Sequence, residues 1–490
     1  MIAILLVLFP FFASLLVLAG NAVSAKKAAL FFSVLELLLT FYAYYLVRIQ
    51  PDATALGCTI PWIASLGINF KLQLDGINLL LVVLTNVLLP IIVLSSFTKS
   101  YKNAGVFYSL VLFMQMALVG VFLAMDGFLF YIFWELALIP IYFICLLWGG
   151  EDRARITFKF FIYTLSGSLF MLLGLIFLYQ HTPGPLHSFD INALYKAGQG
   201  LDVKAQSFIF WCMFLAFAIK MPLFPFHTWQ PDTYTTAPTQ GTMLLSGIML
   251  KMGTYGLLRW LMPMVPLGIA EWGPMAIALA VIGIIYASCI AVVQKDYKRL
   301  IAYSSIAHVG LIAAGILAFN TQGLQGALVQ MFSHGVNVIG LFFIVDIIST
   351  RTNTREIAKL GGIRNVAPQF AAFFLIVLLG SIALPLTNGF IGEFLLLNGI
   401  FQYSAWIAGI AGLSVILGAI YMLRSYQNSM LGEPNGLTST FRDLTVNEKA
   451  VLIPLVVLII GLGIYPKPLL DLTGPAIQHL INSSLPIIKP

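Results

Sequence analysis

Six ionisable side chains interrupt long apolar stretches of this sequence, where lipid or protein interior is expected. On insertion scales a charged side chain at the centre of a membrane helix costs roughly 2.5–3.5 kcal/mol. Residues of this kind commonly face a bundle interior or a wet cavity, and they mark many ion and proton pathways. The six residues are Glu135, Lys220, Lys251, His308, His334 and Glu393.

These residue types suit proton transfer better than the breaking of substrate bonds. A lysine can give up its proton when water is removed from around it, whereas an arginine keeps its charge. Histidine titrates near neutral pH and can pass a proton between neighbours. Each residue alone also has a structural interpretation, because buried histidines and lysine–glutamate pairs often tie helices together. The six residues together favour a transport function over a structural one, because each of them adds an insertion cost that a scaffold could avoid.

Two prolines follow Lys220 directly in the segment FAIKMPLFPFHTW. Pro222 and Pro225 have no N–H, so each is expected to leave the carbonyl four residues earlier without its helical partner. Pro140 does the same just after Glu135. Irregular backbone at membrane depth is tolerated where it is buried in protein or lines a wet cavity. We therefore expect a broken helix there, with water able to reach Lys220.

The overall composition is that of a polytopic membrane protein. The chain has 490 residues, of which 60% are hydrophobic and only 9% are charged, and its mean hydropathy is +0.95. These values exclude an ordinary soluble globule and a disordered chain. The formal net charge is +7, but the basic residues fall mostly in short loops between apolar segments and form no long run. This distribution is typical of residues that set the orientation of the spans in the membrane, and it does not indicate a nucleic-acid partner.

The cysteines do not predict a metal or redox centre. Cys58, Cys145, Cys212 and Cys289 are far apart, with no CxxC pair and no histidine at ligand spacing. Neither an iron–sulfur site nor a disulfide framework is readable from this pattern. We expect no cofactor and no metal in this chain.

A membrane-spanning helix needs about 20 mostly apolar residues. The first stretch has no basic region before it and is followed at once by another span, so we expect a retained helix and not a cleaved signal. The seventh and twelfth spans are expected to be broken, the latter at Pro385, Asn388 and Gly389. The fourteen predicted spans are 2–19, 28–47, 77–97, 104–124, 128–148, 156–179, 207–229, 240–262, 273–294, 300–318, 325–347, 368–400, 406–428 and 449–466.

Basic residues divide unequally between the two sides that fourteen spans define. One set of loops contains 17 lysines and arginines and the other contains 7, while Lys220 and Lys251 lie within spans. Because cytoplasmic loops carry the excess of positive charge, the richer set is expected to be cytoplasmic. Both termini are then on the outer, periplasmic side.

A weak internal repeat relates the two predicted breaks. Residues 219–223, IKMPL, align with residues 382–386, IALPL, five spans later. An odd-numbered unit inverts when it repeats, and paired broken helices in inverted repeats mark the transport site in many transporters. The predicted fold is an all-α polytopic membrane protein with two inverted five-helix repeats, spans 4–8 and 9–13. The expected division is 1–100 for helices 1–3, 101–265 and 266–430 for the repeats, and 431–490 for helix 14 with an outer tail.

Two further features have several interpretations. Glu36 lies in the middle of the second span with no evident partner, and an interhelical contact, a subunit contact and a lipid-facing position all remain open. The tail after the last span could lie on the outer surface as an amphipathic segment or serve as a subunit contact.

Several motifs, taken in order, resemble the antiporter-like membrane subunits of respiratory complex I, most closely those of M type (chain 4). They are FWELALIPIYF, IKMPLFPFHTWQPDTYTTAPT, LLSGIMLKMGTYGLLR, SSIAHVG, FSHGVNVIGLFF and TNGFIGEF. The resemblance implies that Glu135 and Lys220 form the functional pair and that Lys251 is the central relay lysine. It also implies that His308 and His334 are bridging groups and that Glu393 is the terminal titratable residue.

By this resemblance the chain moves protons in a bacterial inner membrane, driven by quinone reduction elsewhere in an NADH-quinone oxidoreductase. FMN, iron–sulfur clusters and quinone would belong to partner subunits, and the membrane neighbours would be the L-, N- and K-type subunits. The chain departs from many relatives at Tyr234, Thr236 and Asn337. A multi-subunit cation/proton antiporter and a purely structural scaffold are the two alternatives, since both could contain the same buried charges.

Overall fold

The computed structural model describes residues 2–49, 56–184 and 186–484, and most of these residues are helical. Two π-helical segments, Leu245–Met249 and Leu257–Leu261, interrupt the α-helices of the predicted eighth span. The α-helices are α1 (Ile2–Leu18), α2 (Ala22–Ile49), α3 (Gly76–Ser95), α4 (Ala104–Leu123), α5 (Gly127–Leu136), α6 (Leu138–Trp148), α7 (Arg153–Gln180), α8 (Ile191–Gln199), α9 (Val203–Lys220), α10 (Gln230–Thr236), α11 (Thr239–Leu244), α12 (Lys251–Gly256), α13 (Met262–Met264), α14 (Pro266–Val292), α15 (Tyr297–Leu317), α16 (Thr321–Thr352), α17 (Ile363–Val366), α18 (Pro368–Ser381), α19 (Asn388–Tyr403), α20 (Ala405–Met430), α21 (Val446–Ile464) and α22 (Lys467–Ser484).

Length and composition make most of these helices membrane helices. Among the described residues, 11 helices are long and apolar enough to cross a membrane, with α5 and α6 taken together as one. Polar residues set where several of them begin. Asp75 accepts from two backbone N–H groups at the start of α3, and Asp296 and Asn320 cap α15 and α16 in the same way. These caps satisfy donors that a helix start leaves without a partner.

The chain is not entirely helical, so the all-α prediction was wrong in one region. β1 (Cys58–Ile63) pairs antiparallel with β2 (Ile68–Leu72), with Cys58 opposite Leu72. Gly67 turns the chain with a φ of 60°, a conformation that glycine adopts at little cost. The run TIPWI followed by INFKL contains the β-branched and aromatic residues typical of strands, and this signal was available in the sequence.

One helix forms the centre of the bundle. The apolar stretch of α16 is completely enclosed by other helices, whereas only 22% of the corresponding stretch of α2 is buried. Helix α16 packs against α15, α18 and α19, and also against α3. A helix that is enclosed on all sides can hold polar groups away from lipid, which is where intramembrane charges are normally found.

The helices end at the two breaks that the prolines predicted. Helix α9 ends at Lys220 before α10 resumes, and α18 ends at Ser381 before α19 resumes. Both breaks have the same backbone pattern, in which one N–H bonds four residues back and a later one bonds five residues back. These bonds are Met221 to Phe217 and Leu223 to Ala218 in the first break, and Ile382 to Leu378 and Leu384 to Leu379 in the second.

This shared pattern pairs Lys220 with Ser381. The alignment of the two sequences had paired Lys220 with Ala383, so the backbone places the equivalence two residues earlier. The pattern also corrects one expected consequence of the prolines. The carbonyl of Ala218 is not free, because it accepts the N–H of Leu223 at 2.8 Å.

The tail after α21 folds back onto the same chain. Helix α22 packs against α3 and α16. Its buried residues follow one face at helical spacing, and the Cβ position of Gly76 would lie only 2.0 Å from the backbone oxygen of Leu472, so the two backbones approach closely. As far as residue 484, the tail is therefore an amphipathic helix whose apolar face is covered by the same chain. Its buried residues are Leu469, Thr473, Ile477, Leu480 and Ile481.

Candidate functional site

A lysine and a histidine meet inside the helical bundle. Lys251 is fully buried, and its Nζ lies 2.9 Å from Nδ1 of His334 and 2.7 Å from the backbone oxygen of Ser246. On the other side of the ring, Nε2 of His334 lies 3.0 Å from Oγ of Ser305. When Lys251 is charged, Nζ donates to Nδ1 and the neutral ring can donate from Nε2 to the serine. A proton leaving Lys251 therefore has an acceptor already in contact.

A second contact between an acid and a base lies next to this one. Nδ1 of His308 lies 2.9 Å from Oε1 of Glu393, which also accepts from Nε2 of Gln330 at 3.2 Å. The ring centres of His308 and His334 are 5.8 Å apart. Four of the six residues predicted from the sequence thus form one series, running from Lys251 through the two histidines to Glu393.

A small cavity of about 10 Å³ lies between the two histidines. Ser305 and Ser381 line it together with both rings, and a volume of this size holds about one water molecule. Nearby, Oδ1 of Asn337 is buried without a hydrogen-bond partner among the described residues. A water in the cavity would offer the histidines a bridge. Ser381, the backbone counterpart of Lys220, therefore lies at this junction.

The other two predicted residues form a separate group at the first break. Lys220 ends α9, is 3% exposed, and has its Nζ 5.4 Å from the centre of the Trp134 ring. Lys220 therefore contacts the residue that directly precedes Glu135 in α5. Oε1 of Glu135 is buried and has no hydrogen-bond partner in the described part of the chain. A water molecule beside the carboxylate would satisfy this oxygen.

Glu135 also lies at an irregular point of the backbone. Helix α5 ends at Leu136 and α6 starts at Leu138, so that the helix is interrupted at Ala137, two residues after Glu135. Pro140 in the first turn of α6 accounts for the interruption, because it has no N–H for the preceding turn. Both members of the Glu135–Lys220 group therefore lie where a helix is interrupted.

The helix that contains Lys251 is irregular on both sides of it, which the sequence did not predict. A single regular span was expected over 240–262, but π-helical segments precede and follow α12. In the first segment, Leu250 bonds the oxygen of Leu245, and the oxygen of Ser246 accepts from Nζ of Lys251. Such π-helical turns are frequent at functional sites.

Close packing brings the two groups of residues towards each other. A Cβ at Gly253 would lie 2.8 Å from the Cβ of Met221 and 2.8 Å from the backbone oxygen of Phe217. A Cβ at these distances would clash with α9, so glycine at this position allows α12 to approach the end of α9. Lys251 and Lys220 lie near this contact, each two residues or fewer from it in sequence.

Two buried ionisable groups near the site were missed from the sequence. Asp346 accepts from Oγ1 of Thr239 at 2.6 Å and pairs with Nζ of Lys99 at 3.1 Å. An acid in the apolar run LFFIVDIIST was a visible signal. His227 is buried in the first break, where its ring lies 5.3 Å from that of Tyr286. His227 lies in the segment FAIKMPLFPFHTW, in which the sequence analysis had already identified Lys220.

Glu36 has a partner inside the chain, so the interhelical interpretation is the correct one. Nδ2 of Asn86 lies 3.3 Å from Oε1 of Glu36 and 2.7 Å from Oγ1 of Thr40, and Oδ1 of Asn86 accepts from Nε2 of Gln115 at 2.7 Å. This polar cluster ties α2 to α3 and α4. Oε2 of Glu36 and Oε1 of Gln115 are buried without a partner among the described residues.

Exchanging Glu36 for glutamine is expected to preserve the stability of the protein, because an amide keeps the acceptor for Asn86 and adds a donor. Exchanging Glu36 for leucine should destabilise it by about 1–3 kcal/mol, the cost of leaving a buried polar partner unsatisfied. Thermal unfolding of the protein extracted in detergent measures both. Leu38→Ala, on the exposed face of the same helix, is the control. Equal losses in the Gln and Leu variants would contradict the role of this cluster.

The sequence is similar to known membrane proteins over nearly its whole length. Residues 124–418, which include all six predicted site residues, match the family model described as NADH:quinone oxidoreductase/Mrp antiporter, TM. The chain is 41% identical over 467 residues to the NADH-quinone oxidoreductase subunit M of Rickettsia conorii, covering 93% of this chain and 94% of the relative.

Two solved structures contain chains of the same shape. A chain of respiratory complex I from Thermus thermophilus with bound NADH has a TM-score of 0.91 and 30% identity, over 100% of both chains. A chain of the Mrp complex from a Dietzia species has a TM-score of 0.85, covering 98% of this chain and 52% of that chain. The identity to the latter is 20%, so this likeness is one of fold alone.

Proposed function

Because the chain belongs to the NADH:quinone oxidoreductase/Mrp antiporter family, we propose that it is a proton-translocating membrane-arm subunit of respiratory complex I, of the M type. The observation that carries the proposal is a series of proton-holding groups inside one chain, with a water-sized cavity between its two histidines. Lys251 contacts His334, the two histidine rings lie side by side, and His308 contacts Glu393. A scaffold would need neither this order nor these distances.

Each of the six residues has a role in the proposed translocation. Glu135 and Lys220 form the first pair, in which the position of the carboxylate controls whether the ammonium keeps its proton. Lys251 receives a proton at Nζ, and His334 and His308 pass it on through their ring nitrogens. Glu393 is the last group that takes and releases it. Each transfer breaks one N–H or O–H bond and makes another, so no substrate bond changes.

The proposed enzyme is an NADH-quinone oxidoreductase in which this chain supplies translocation and other subunits supply electron transfer. FMN, the iron–sulfur clusters and quinone would be held by partner subunits, and the neighbours in the membrane arm would be the L-, N- and K-type subunits. Within the described residues no three His, Cys, Asp or Glu side chains are arranged to hold a metal ion.

We also propose the complete topology of fourteen spans with inverted repeats in spans 4–8 and 9–13. The 11 long apolar helices support it, together with α1, the segmented run from α11 to α13, and α18 with α19. The shared pattern of the two breaks supports the repeat. We place the chain in a bacterial inner membrane, and the excess of basic residues on one set of loops supports an orientation with both termini in the periplasm. The proposed division remains 1–100, 101–265, 266–430 and 431–490.

Purification of the tagged chain from its native membranes tests the function directly. We expect it to co-purify with subunits that contain flavin and iron–sulfur clusters, and to support NADH-dependent quinone reduction that acidifies one side of a vesicle. Optical and electron paramagnetic resonance spectra detect the two cofactor types. Isolation with small antiporter subunits alone, without flavin, would assign the chain to a cation/proton antiporter instead.

A further inference from the structure

A polar cavity of about 470 Å³ opens near the start of α11, outside the relay described above. Its walls include Lys99, Tyr101, Thr239, Gln240, Lys298 and Asp346. The loops that surround it belong to the set rich in lysine and arginine. The cavity therefore lies on the proposed cytoplasmic side, from which protons would be taken up.

We propose that Asp346 takes protons from water in this cavity and delivers them to Lys251 along the hydroxyl-bearing face of α11. The inference rests on the proposed function and adds an uptake route to it. The transfer needs no other reactant. A proton from cavity water binds the carboxylate of Asp346, leaves it for the hydroxyl and water chain, and finally binds the free amine of Lys251.

The geometry of Asp346 suits this task, because its two oxygens have different partners. Oδ2 lies 3.1 Å from Nζ of Lys99, which is 28% exposed at the cavity. Oδ1 accepts at 2.6 Å from Oγ1 of Thr239, the first residue of α11, which leads from the cavity wall towards Lys251. Glu151, the other carboxylate of the wall, is exposed. Asp346 is thus the acid that connects the cavity to the interior.

Hydroxyl groups continue from Asp346 towards Lys251 at intervals of three and four residues, which places them on one helix face. After Thr239, Oγ1 of Thr242 donates to the oxygen of Tyr234 at 2.9 Å, and Oγ of Ser246 donates to the oxygen of Thr242 at 2.7 Å. Nζ of Lys251 then donates to the oxygen of Ser246 at 2.7 Å. The three hydroxyl side chains are buried, so they offer a polar track through an apolar interior.

Carbonyl oxygens cannot pass a proton on, so water has to connect these hydroxyls. Buried polar atoms without a partner point to where such water lies. The hydroxyl of Tyr234 and both amide atoms of Gln230 are buried and have no hydrogen-bond partner among the described residues. Tyr234 lies beside the track, since its backbone oxygen accepts from Thr242. Ordered water commonly satisfies groups of this kind.

Basic residues from the second repeat hold the wall of the cavity in place. Nζ of Lys298 donates to the oxygen of Ala237 at 3.0 Å, and Nη1 of Arg355 donates to the oxygen of Thr235 at 2.9 Å. Neither side chain can accept a proton while it is charged. They fix the link between α10 and α11 and leave the carboxylate of Asp346 as the accepting group.

Asp346→Asn in the assembled complex tests the inference, with Glu448→Gln as its control. Both acids are ion-paired with a basic residue and similarly buried, at 11% and 13% side-chain exposure, but Glu448 pairs with Arg351 away from the cavity. In inverted membrane vesicles we expect the rate of NADH-driven proton translocation to fall about tenfold or more for Asp346→Asn and to stay unchanged for Glu448→Gln.

Chemical rescue separates a proton-carrying role from a structural one. Added formate should enter the cavity and restore part of the lost rate in Asp346→Ala, without affecting the wild type or Lys251→Met. The readout is membrane potential, because a permeant weak acid collapses a pH difference. A wild-type rate in Asp346→Asn alongside an inactive Lys251→Met would overturn this inference and leave the proposed function standing. A low rate that formate cannot restore would also overturn it, whereas full activity in both variants would reject the proposed function itself.

Discussion

A Lys251→Met variant is expected to assemble and to lose proton translocation, with the coupled rate falling about a hundredfold or more. Methionine has nearly the volume of lysine, so the packing of α12 should survive. The variant cannot hold a proton between the oxygen of Ser246 and Nδ1 of His334, where Nζ now lies 2.7 and 2.9 Å from its two partners. The measurement is the rate of NADH-driven proton uptake by vesicles containing the assembled complex.

Lys251→Arg distinguishes a group that must change charge from one that only needs a charge. Arginine keeps its proton, so this variant should be nearly as inactive as Lys251→Met, although it retains the positive charge. Lys204→Met, on an exposed part of α9, is the control and should translocate protons normally. Normal translocation by a fully assembled Lys251→Met variant would reject Lys251 as a member of the relay.

The sequence predicted which residues belong to the candidate site better than it predicted which of them lie together. The sequence alone identifies Lys251, His334, His308 and Glu393, because each is an ionisable residue within an apolar run and would be costly to insert into a membrane. That these four form one series, while Lys220 and Glu135 form a separate group, depends on how α12, α15, α16 and α19 pack. Residues far apart in the chain, such as Lys251 and His334 or His308 and Glu393, come into contact only through tertiary structure, which single-sequence patterns do not encode.

Other features were missed because their signals compete with stronger ones. The two π-helical segments consist mostly of apolar residues whose spacing fits a regular helix equally well, so only the backbone hydrogen bonds distinguish them. The repeat was found from its prolines, but the alignment was two residues from the equivalence that the backbone bonds define. Proline marks a break reliably, since it lacks an N–H, but it does not determine which later N–H replaces the lost bond.

Ion pairs from two other helices meet at the short helix α10 after the first break. Arg299, at the start of α15, and Lys159, in α7, both pair with Asp232 of α10 at 3.1 Å. The short helix after the break is therefore held between α7 and α15. A movement of α15 would displace α10 through the Arg299–Asp232 ion pair. The segment that joins α10 to α9 would then transmit the displacement to Lys220. This arrangement gives a physical connection between Lys220 and the histidine-containing helices, in addition to electrostatics.

Lys220→Met and Glu135→Gln are each expected to lower coupled proton translocation about a hundredfold, and the double variant is expected to lose little more than either one. The reason is the proposed role of the pair, in which the charge of the carboxylate determines whether the buried ammonium of Lys220, beside the ring of Trp134, keeps its proton. Groups that act together give strongly non-additive effects. Initial rates of proton uptake in the four proteins of this cycle, each checked for assembly, provide the measurement.

Glu271→Gln is the matched control for this cycle, because Glu271 is an exposed carboxylate of α14 that bonds only Ser207 in the described part of the chain. It should translocate protons at the wild-type rate. If the two single losses instead multiply in the double variant, Glu135 and Lys220 act independently and the pair is not a functional unit. Lys220→Arg adds a further constraint: it keeps the charge facing Glu135 but cannot release the proton, so restoration of translocation by arginine would reduce the role of Lys220 to a fixed charge at the end of a broken helix.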